Sequence, residues 1–435
     1  MKRRTVVITG IGTVTPAGRG ASALWLHAFS GTSCVRPIDP QKYFDASKYD
    51  CQVAGQVPCF DEPRVLTKRI LAQTDRCTQI ALVAALDALD AAKLPIGFLP
   101  VILPERVSIV VGTVTGGLTF VENDMRNFWT KGKQGTHLYL ATASFPASAQ
   151  GYISICFGVK GRARTFVSER ASGAHALIEG ANNIQRGQAD IVIAGGTEAP
   201  ITPMVWSAYQ SGHMLQRTHT MEPAHTYRPF DHKHTGMIIG EGSTFVIFEE
   251  REHALRRGVP ILAEVRGWSM GTDPTPLTPS EVPKEQPGRW LAKTINASLM
   301  QANIQSDDID VIFPHGSAIA EEDEAELSAI TTVFGHDRIP VSIPKVGFGH
   351  LQGAAVSTDM AIAVQSLLNQ TIPPTPHAEL LEVDSGLNLV HTHAQTTEIK
   401  HSLILSGGLA GMHACLVVSQ SQMVSSNLVK RKGEV

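Results

Sequence analysis

The sequence predicts an α/β protein with covered sheets, organised as two similar halves. Two observations carry this expectation: short, strongly apolar runs alternate with long amphipathic segments, and one order of motifs occurs twice along the chain. The strand-like runs fall at 6–9, 107–111, 191–194, 244–248, 311–313, 341–343 and 403–405, and the main helical segments at 75–92, 175–186 and 354–368. Small-residue stretches at 111–117 and 195–197 follow strands, where loops gather at one sheet edge.

The repetition is carried by three pairs of segments. RTFVSERASGAHALIEGANNI matches VSIPKVGFGHLQGAAVSTDMAIAVQSLL as strand, polar turn, then a helix opening among small residues. DIVIAGGTEAP is in step with SLILSGGLAGM, and SIVVGTVTGG with DVIFPHGSAIA. The expected division is a first half at 1–255, a second at 256–420 and a tail at 421–435, with the cleft where equivalent turns of the halves face each other.

Composition excludes several classes. The chain of 435 residues is 43% hydrophobic and 18% charged, with 38 Gly and 25 Pro, which is a globular, turn-rich profile. A formal net charge of -3 without long basic tracts argues against nucleic-acid binding. Six cysteines without a close CxxC pair read as free thiols in a reducing, cytoplasmic setting. The start, MKRRTVVITGIG, reads as a buried first strand rather than a signal peptide, because its apolar run breaks at Gly10. No apolar run reaches membrane-spanning length, so no membrane association is expected. The GxG at 10–12 lacks the rest of a dinucleotide fingerprint, and HGSAIAEED is no phosphate-binding loop, so no cofactor is expected in this chain.

Three polar constellations occupy matching places in the two halves. They are Ser168-Glu169-Arg170-Ala171-Ser172-Gly173, then His315-Gly316-Ser317 followed by Glu321 to Glu324 and Glu326, and then Lys345 with His350. Two imidazoles and an ammonium could polarise a thioester or carboxylate. A nucleophile is missing between them, since a guanidinium has five donors and forms no acyl intermediate. The histidines lack a third nearby ligand, so no metal site is expected.

The segments YRPFDHKHTGMIIGEGSTFVIFEEREHALRRGVPILAEVRG, TDRCTQIALVAALDAL, HGSAIAEEDEAE and KVGFGHLQGAA resemble the β-ketoacyl synthases of type II fatty-acid and polyketide pathways, from Val6 to about Val418. The resemblance implies a thiolase-like fold, with duplicated halves of layered helices and mixed five-stranded sheets, usually dimeric. Active relatives place a nucleophilic cysteine where this chain has Arg170; their catalytic histidines and lysine correspond to His315, His350 and Lys345. Their HGT reads HGS here, with Ser317 in the threonine position, and their acidic positions remain as Asp323 and Glu326. Their GFGGTNG reads LSGGLAG, so Ser406 replaces a gating phenylalanine, and Leu409 and Ala410 replace a threonine-asparagine pair.

By character the chain is similar to the chain-length factor, the ketosynthase-β subunit of type II polyketide synthases. That likeness implies a noncatalytic partner of a ketosynthase-α, shaping the tunnel for an aromatic polyketide, while an acyl carrier protein docks mainly on the partner and delivers malonyl units on its phosphopantetheine arm. Such subunits commonly carry glutamine at the cysteine position, and Arg170 departs from this. A buried guanidinium beside His315, Lys345 and His350 requires a carboxylate, with Glu169 or Glu326 as the expected partners. In 115–132, Phe120, Asn123, Asp124 and Asn127 recur at helical spacing and are the expected tunnel residues, Phe120 first as gate. Phe128 and Trp129 read as packing or dimer-interface residues. Three rival readings remain: a residual malonyl decarboxylase or non-covalent acyltransferase, a noncatalytic subunit of a polyene pathway, and a structural homodimer.

Overall fold

The computed structural model describes residues 3–217, 227–273, 287–377, 386–391 and 393–421. The expected tail, 421–435, lies outside these residues beyond Ser421. A continuous twelve-stranded sheet organises them. From one edge to the other its strands are Asn388–Leu389, Pro340–Val341, Val311–Phe313, His401–Gly407, Met412–Ser419, Ala263–Thr272, Val6–Thr15, Gly242–Glu250, Ile191–Glu198, Val107–Gly112 and Ala163–Phe166. Gly18–Arg19 folds back on Val6–Thr15 as the twelfth.

The order contains the repeat. Ala163–Phe166, Val107–Gly112 and Ile191–Glu198 run parallel, followed antiparallel by Gly242–Glu250 and Val6–Thr15. Pro340–Val341, Val311–Phe313 and His401–Gly407 also run parallel, followed antiparallel by Met412–Ser419 and Ala263–Thr272. The two five-stranded sets meet where Val6, Val7 and Ile8 pair with Val265, Glu264 and Ala263. This is the mixed, duplicated α/β architecture of the thiolase-like fold.

The first strand is longer than its apolar run because Gly10 and Gly12 do not end it. All ten residues of Val6–Thr15 are buried. The helix Arg76–Ala91 lies directly on the strand, and a Cβ at Gly12 would stand 2.1 Å from the Ala84 carbonyl oxygen. Glycine is therefore needed there for close approach, rather than for a turn. Asp75 caps this helix by accepting the Cys77 N–H at 2.7 Å. The helix buries Ile80, Leu82, Val83, Leu86 and Leu89, each contributing roughly 2 kcal/mol of apolar burial.

Two further central helices follow the parallel strands. Ser172–Gln185 buries ten residues and Ala355–Asn369 buries twelve, an all-round burial expected of helices enclosed between layers. The halves touch through glycine: a Cβ at Gly196 would lie 2.0 Å from the Gly353 carbonyl oxygen, and one at Gly173 would lie 2.3 Å from the same atom. This contact brings the start of Ser172–Gln185 against the loop that carries His350.

Candidate functional site

The turn before Ser172–Gln185 presents Arg170. Glu169 adopts a left-handed conformation (φ 51°), and the Ser172 hydroxyl accepts the Ser168 N–H at 2.8 Å, which closes the turn tightly. Arg170 is 0% exposed. Its Nε donates to both Glu169 oxygens at 3.0 and 2.8 Å, and its Nη1 and Nη2 donate to Glu322 Oε2 and Oε1 at 2.8 and 2.6 Å. Burial alone would lower the guanidinium pKa, but Glu322 and then Glu169 outweigh it and raise the value. Arg170 is a cation held between two carboxylates, with no proton to exchange.

Glu169 is thus one partner, and the other is Glu322 instead of Glu326. Glu326 stands one helical turn further along Ala320–Phe334, where its oxygens accept the backbone N–H groups of His315 and Gly316 at 2.6 and 2.8 Å. Asp323 has a similar structural duty, accepting the N–H of Phe230 at 2.6 Å and of Ala318 at 3.1 Å. The acidic run is therefore divided: Asp323 and Glu326 hold the loop of His315, and Glu322 points to the guanidinium. Burial raises the Glu326 carboxyl to about 7.

The two halves bring His315 and His350 together. Their ring centroids are 4.8 Å apart, and His350 Nε2 lies 3.5 Å from His315 Nδ1. His350 Nδ1 accepts the Gln352 N–H at 3.1 Å, which places the proton of a neutral His350 on Nε2, toward His315. His315 then carries its own proton on Nε2, 3.8 Å from Glu322 Oε2. Burial holds both imidazoles well below the usual histidine range; His350, Arg170 and Lys345 add to this for His315, and Lys345 and Arg170 for His350. They are neutral at physiological pH.

Lys345 was visible in the sequence, but its carboxylate partner was not. Its Nζ donates to the carbonyls of Pro314 and His315 at 2.7 and 3.0 Å and pairs with Asp359 at 2.6 Å. Burial raises the Asp359 carboxyl to about 6, against the pull of Lys345. Asp359 lies nine residues beyond His350, in the helix Ala355–Asn369, where only a lone acid in a buried helix signalled it.

Beyond this core the altered loop follows His401–Gly407. Ser406 is buried, and its hydroxyl has no hydrogen-bond partner among the described residues. The Leu409 N–H donates to Glu169 Oε2 at 2.8 Å, and the side chain of Ala410 lies outside the described set.

The expected tunnel residues sit on the helix Leu118–Lys131 but do not share one surface. Phe120 packs edge-on against His137 with centroids 5.2 Å apart, and buried Asp124 accepts the His137 N–H at 2.7 Å. Asn127 is half-buried and accepts from Lys131 at 3.1 Å. Asn123 diverges from them, lining a depression of about 230 Å³ with Lys42, Arg76, Thr119 and Glu122. Among the described residues no group of three or more His, Cys, Asp or Glu side chains could hold a metal ion, and no helix is long and apolar enough to cross a membrane.

Comparison with known proteins decides the family. Residues 3–254 match the beta-ketoacyl synthase N-terminal domain, and residues 262–379 match the beta-ketoacyl synthase C-terminal domain. The chain belongs to the beta-ketoacyl synthase family. It is related to the ketosynthases of type II polyketide synthases. The ketoacyl synthase beta subunit of the tetracenomycin polyketide synthase of Streptomyces glaucescens is 30% identical over 422 residues, covering 95% of this chain and 98% of that protein. The 3-oxoacyl-[acyl-carrier-protein] synthase 2 of Coxiella burnetii is 31% identical over 422 residues, covering 97% and 99%. The solved ishigamide ketosynthase/chain length factor superposes with a TM-score of 0.86 at 26% identity, over 96% of this chain and 100% of the other. Identity to a ketoacyl synthase beta subunit and to a 3-oxoacyl-[acyl-carrier-protein] synthase is nearly equal, so these likenesses leave the catalytic status of the chain to its cleft.

Proposed function

We propose that this chain is a noncatalytic ketosynthase-β subunit, a chain-length factor that pairs with a ketosynthase-α and bounds its polyketide tunnel. The observation that carries the proposal is Arg170: a fully buried guanidinium, paired with both Glu169 and Glu322, occupies the turn before Ser172–Gln185. Without a nucleophile at that turn the chain does not build acyl intermediates by itself. A malonyl carboxylate would have to compete for Arg170 with two carboxylates already paired to it, Glu169 at Nε and Glu322 at Nη1 and Nη2.

The partner is argued from surface chemistry. Met125, Phe128, Trp129, Leu138, Phe145 and Ile155 are all exposed, Trp129 at 76%. Apolar exposure on this scale is typical of a surface that another protein covers. Ala163–Phe166 ends the sheet on one side, with no further strand beside it among the described residues. The relatives named as a beta subunit and as a ketosynthase/chain length factor support a ketosynthase-α as the occupant. An acyl carrier protein would bring malonyl units to that active partner on its phosphopantetheine arm. Phe120, supported by Asp124 through His137, is the proposed gate, with Asn127 one turn further along the helix.

The test is product chain length from the complex of this chain with its ketosynthase and malonyl-loaded carrier protein. Phe120→Ala is expected to lengthen the product with total activity retained. Unchanged products from an intact complex would remove Phe120 as the gate, and a ketosynthase fully active without this subunit would refute the partnership.

A further inference from the structure

Loss of a nucleophile needs only one inert side chain at position 170. This cleft holds more than that. Glu169, from the first half, and Glu322, from the second, clamp the guanidinium from two sides, joining the halves across the cleft. Glu169 also takes the Leu409 N–H, a backbone donor from the loop after His401–Gly407. A Cβ at Gly408 would already be 3.2 Å from the same carboxylate oxygen, so the group is packed in as well as hydrogen-bonded. Glu322 further stands 3.8 Å from His315 Nε2 and is itself only 25% exposed.

We infer that Glu169, Arg170 and Glu322 form one ion-paired wedge, and that the two carboxylates silence the cleft independently of the missing thiol. The inference rests on the reading of the chain as a subunit that does not turn over, and it deepens that reading by naming Glu169 and Glu322 as silencing residues. Three physical consequences follow from the geometry. Two carboxylates beside a thiol disfavour its thiolate, the reactive form. The same carboxylates repel the carboxylate of an incoming malonyl group. The Leu409 N–H, already bonded to Glu169, holds that carboxylate in place. Returning a cysteine to position 170 therefore leaves the site closed while Glu169 and Glu322 remain. Cutting all three back to small side chains vacates the space and removes the charge together.

The experiment uses the full-length chain in whatever complex it purifies with. Arg170→Cys is compared with the triple variant Glu169→Ala/Arg170→Cys/Glu322→Ala, and iodoacetamide modification at position 170 is followed by peptide mass spectrometry. Wild type supplies the background from the native cysteines, of which Cys59 is exposed. The single variant is expected to be alkylated about tenfold more slowly than the triple at the same pH, with the midpoint of its pH–rate profile moved upward. Equal rates and equal midpoints would overturn the wedge.

Melting temperature keeps the proposal testable if a thiol variant does not fold. Arg170→Ala strands two carboxylates, so it is expected to melt below Glu169→Ala/Arg170→Ala/Glu322→Ala. A single variant that melts at or above the triple overturns the proposal, and so does loss of soluble protein in both, since uncompensated charge exists only in the single. Loss of soluble protein in the single variant alone agrees with the wedge. Neither readout needs a ketosynthase partner, so failure here is distinct from failure of the chain-length assay.

Discussion

Lys345 is held by the floor of the cleft, with two carbonyls and the Asp359 carboxylate around an ammonium that is 2% exposed. Removing the cation alone leaves Asp359 buried without its ion-pair partner. Lys345→Met is therefore expected to cost about 3–5 kcal/mol in urea unfolding, whereas Lys345→Met/Asp359→Leu recovers most of that loss. Equal losses in the two variants would show that the pair is not coupled. At this scale the sequence located His315, Lys345, His350 and Arg170 because each stands in a motif. Glu169 was legible as a partner because it is adjacent. Choosing between Glu322 and Glu326 was not possible from spacing, since both lie on one face of the same helix, four residues apart. Asp359 pairs with a residue fourteen positions away across a loop and a helix start, and no local pattern reports such a contact.

The helix Leu118–Lys131 is tied to the core at its first turn by a single carboxylate. Asp75 accepts the Phe120 N–H at 2.7 Å while capping Arg76–Ala91 through Cys77. Burial raises the Asp75 carboxyl to about 6, with the two N–H donors acting against it. Asp75→Ala is expected to cost about 1–2 kcal/mol as a lost cap, and to raise amide exchange at the start of Leu118–Lys131. Unchanged exchange there would mean that Phe120 is positioned by side-chain packing alone. Helix Arg76–Ala91 was legible to within a residue because a cap precedes an uninterrupted apolar stretch. The expected runs also marked most central strands, but they stopped short where small or polar residues continue the ladder, as in Ile191–Glu198 and His401–Gly407. Ala263–Thr272 was missed because its signal is alternation, AEVRGW, rather than an apolar run.

Across the whole molecule, the pseudo-dyad was readable because motif order survives divergence of individual residues, and it predicted that equivalent turns would meet. What it could not show is how the sheet is tied at the starts of its strands. Arg4, at the start of the first strand, and Arg106, before Val107–Gly112, both bind Asp190, which precedes Ile191–Glu198. Burial works to raise the Asp190 carboxyl, but Arg106 and then Arg4 outweigh it and bring it down to about 2. A carboxyl lowered from its unfolded value of 3.8 favours the folded state above that pH, and the benefit disappears as the pH falls through about 2. Asp190→Asn is therefore expected to be less stable than wild type by roughly 1 kcal/mol near neutrality, a value reduced for the partial solvent access of all three side chains. The difference between the two proteins should hold from neutrality to about pH 5 and close between about pH 4 and pH 2, as wild-type Asp190 itself becomes neutral. Thermal melts of both proteins across that range provide the measurement. A gap that persists at pH 2 would mean that the amide disturbs packing at the strand starts, and a gap absent at pH 7 would mean that the two arginines are equally well held by solvent.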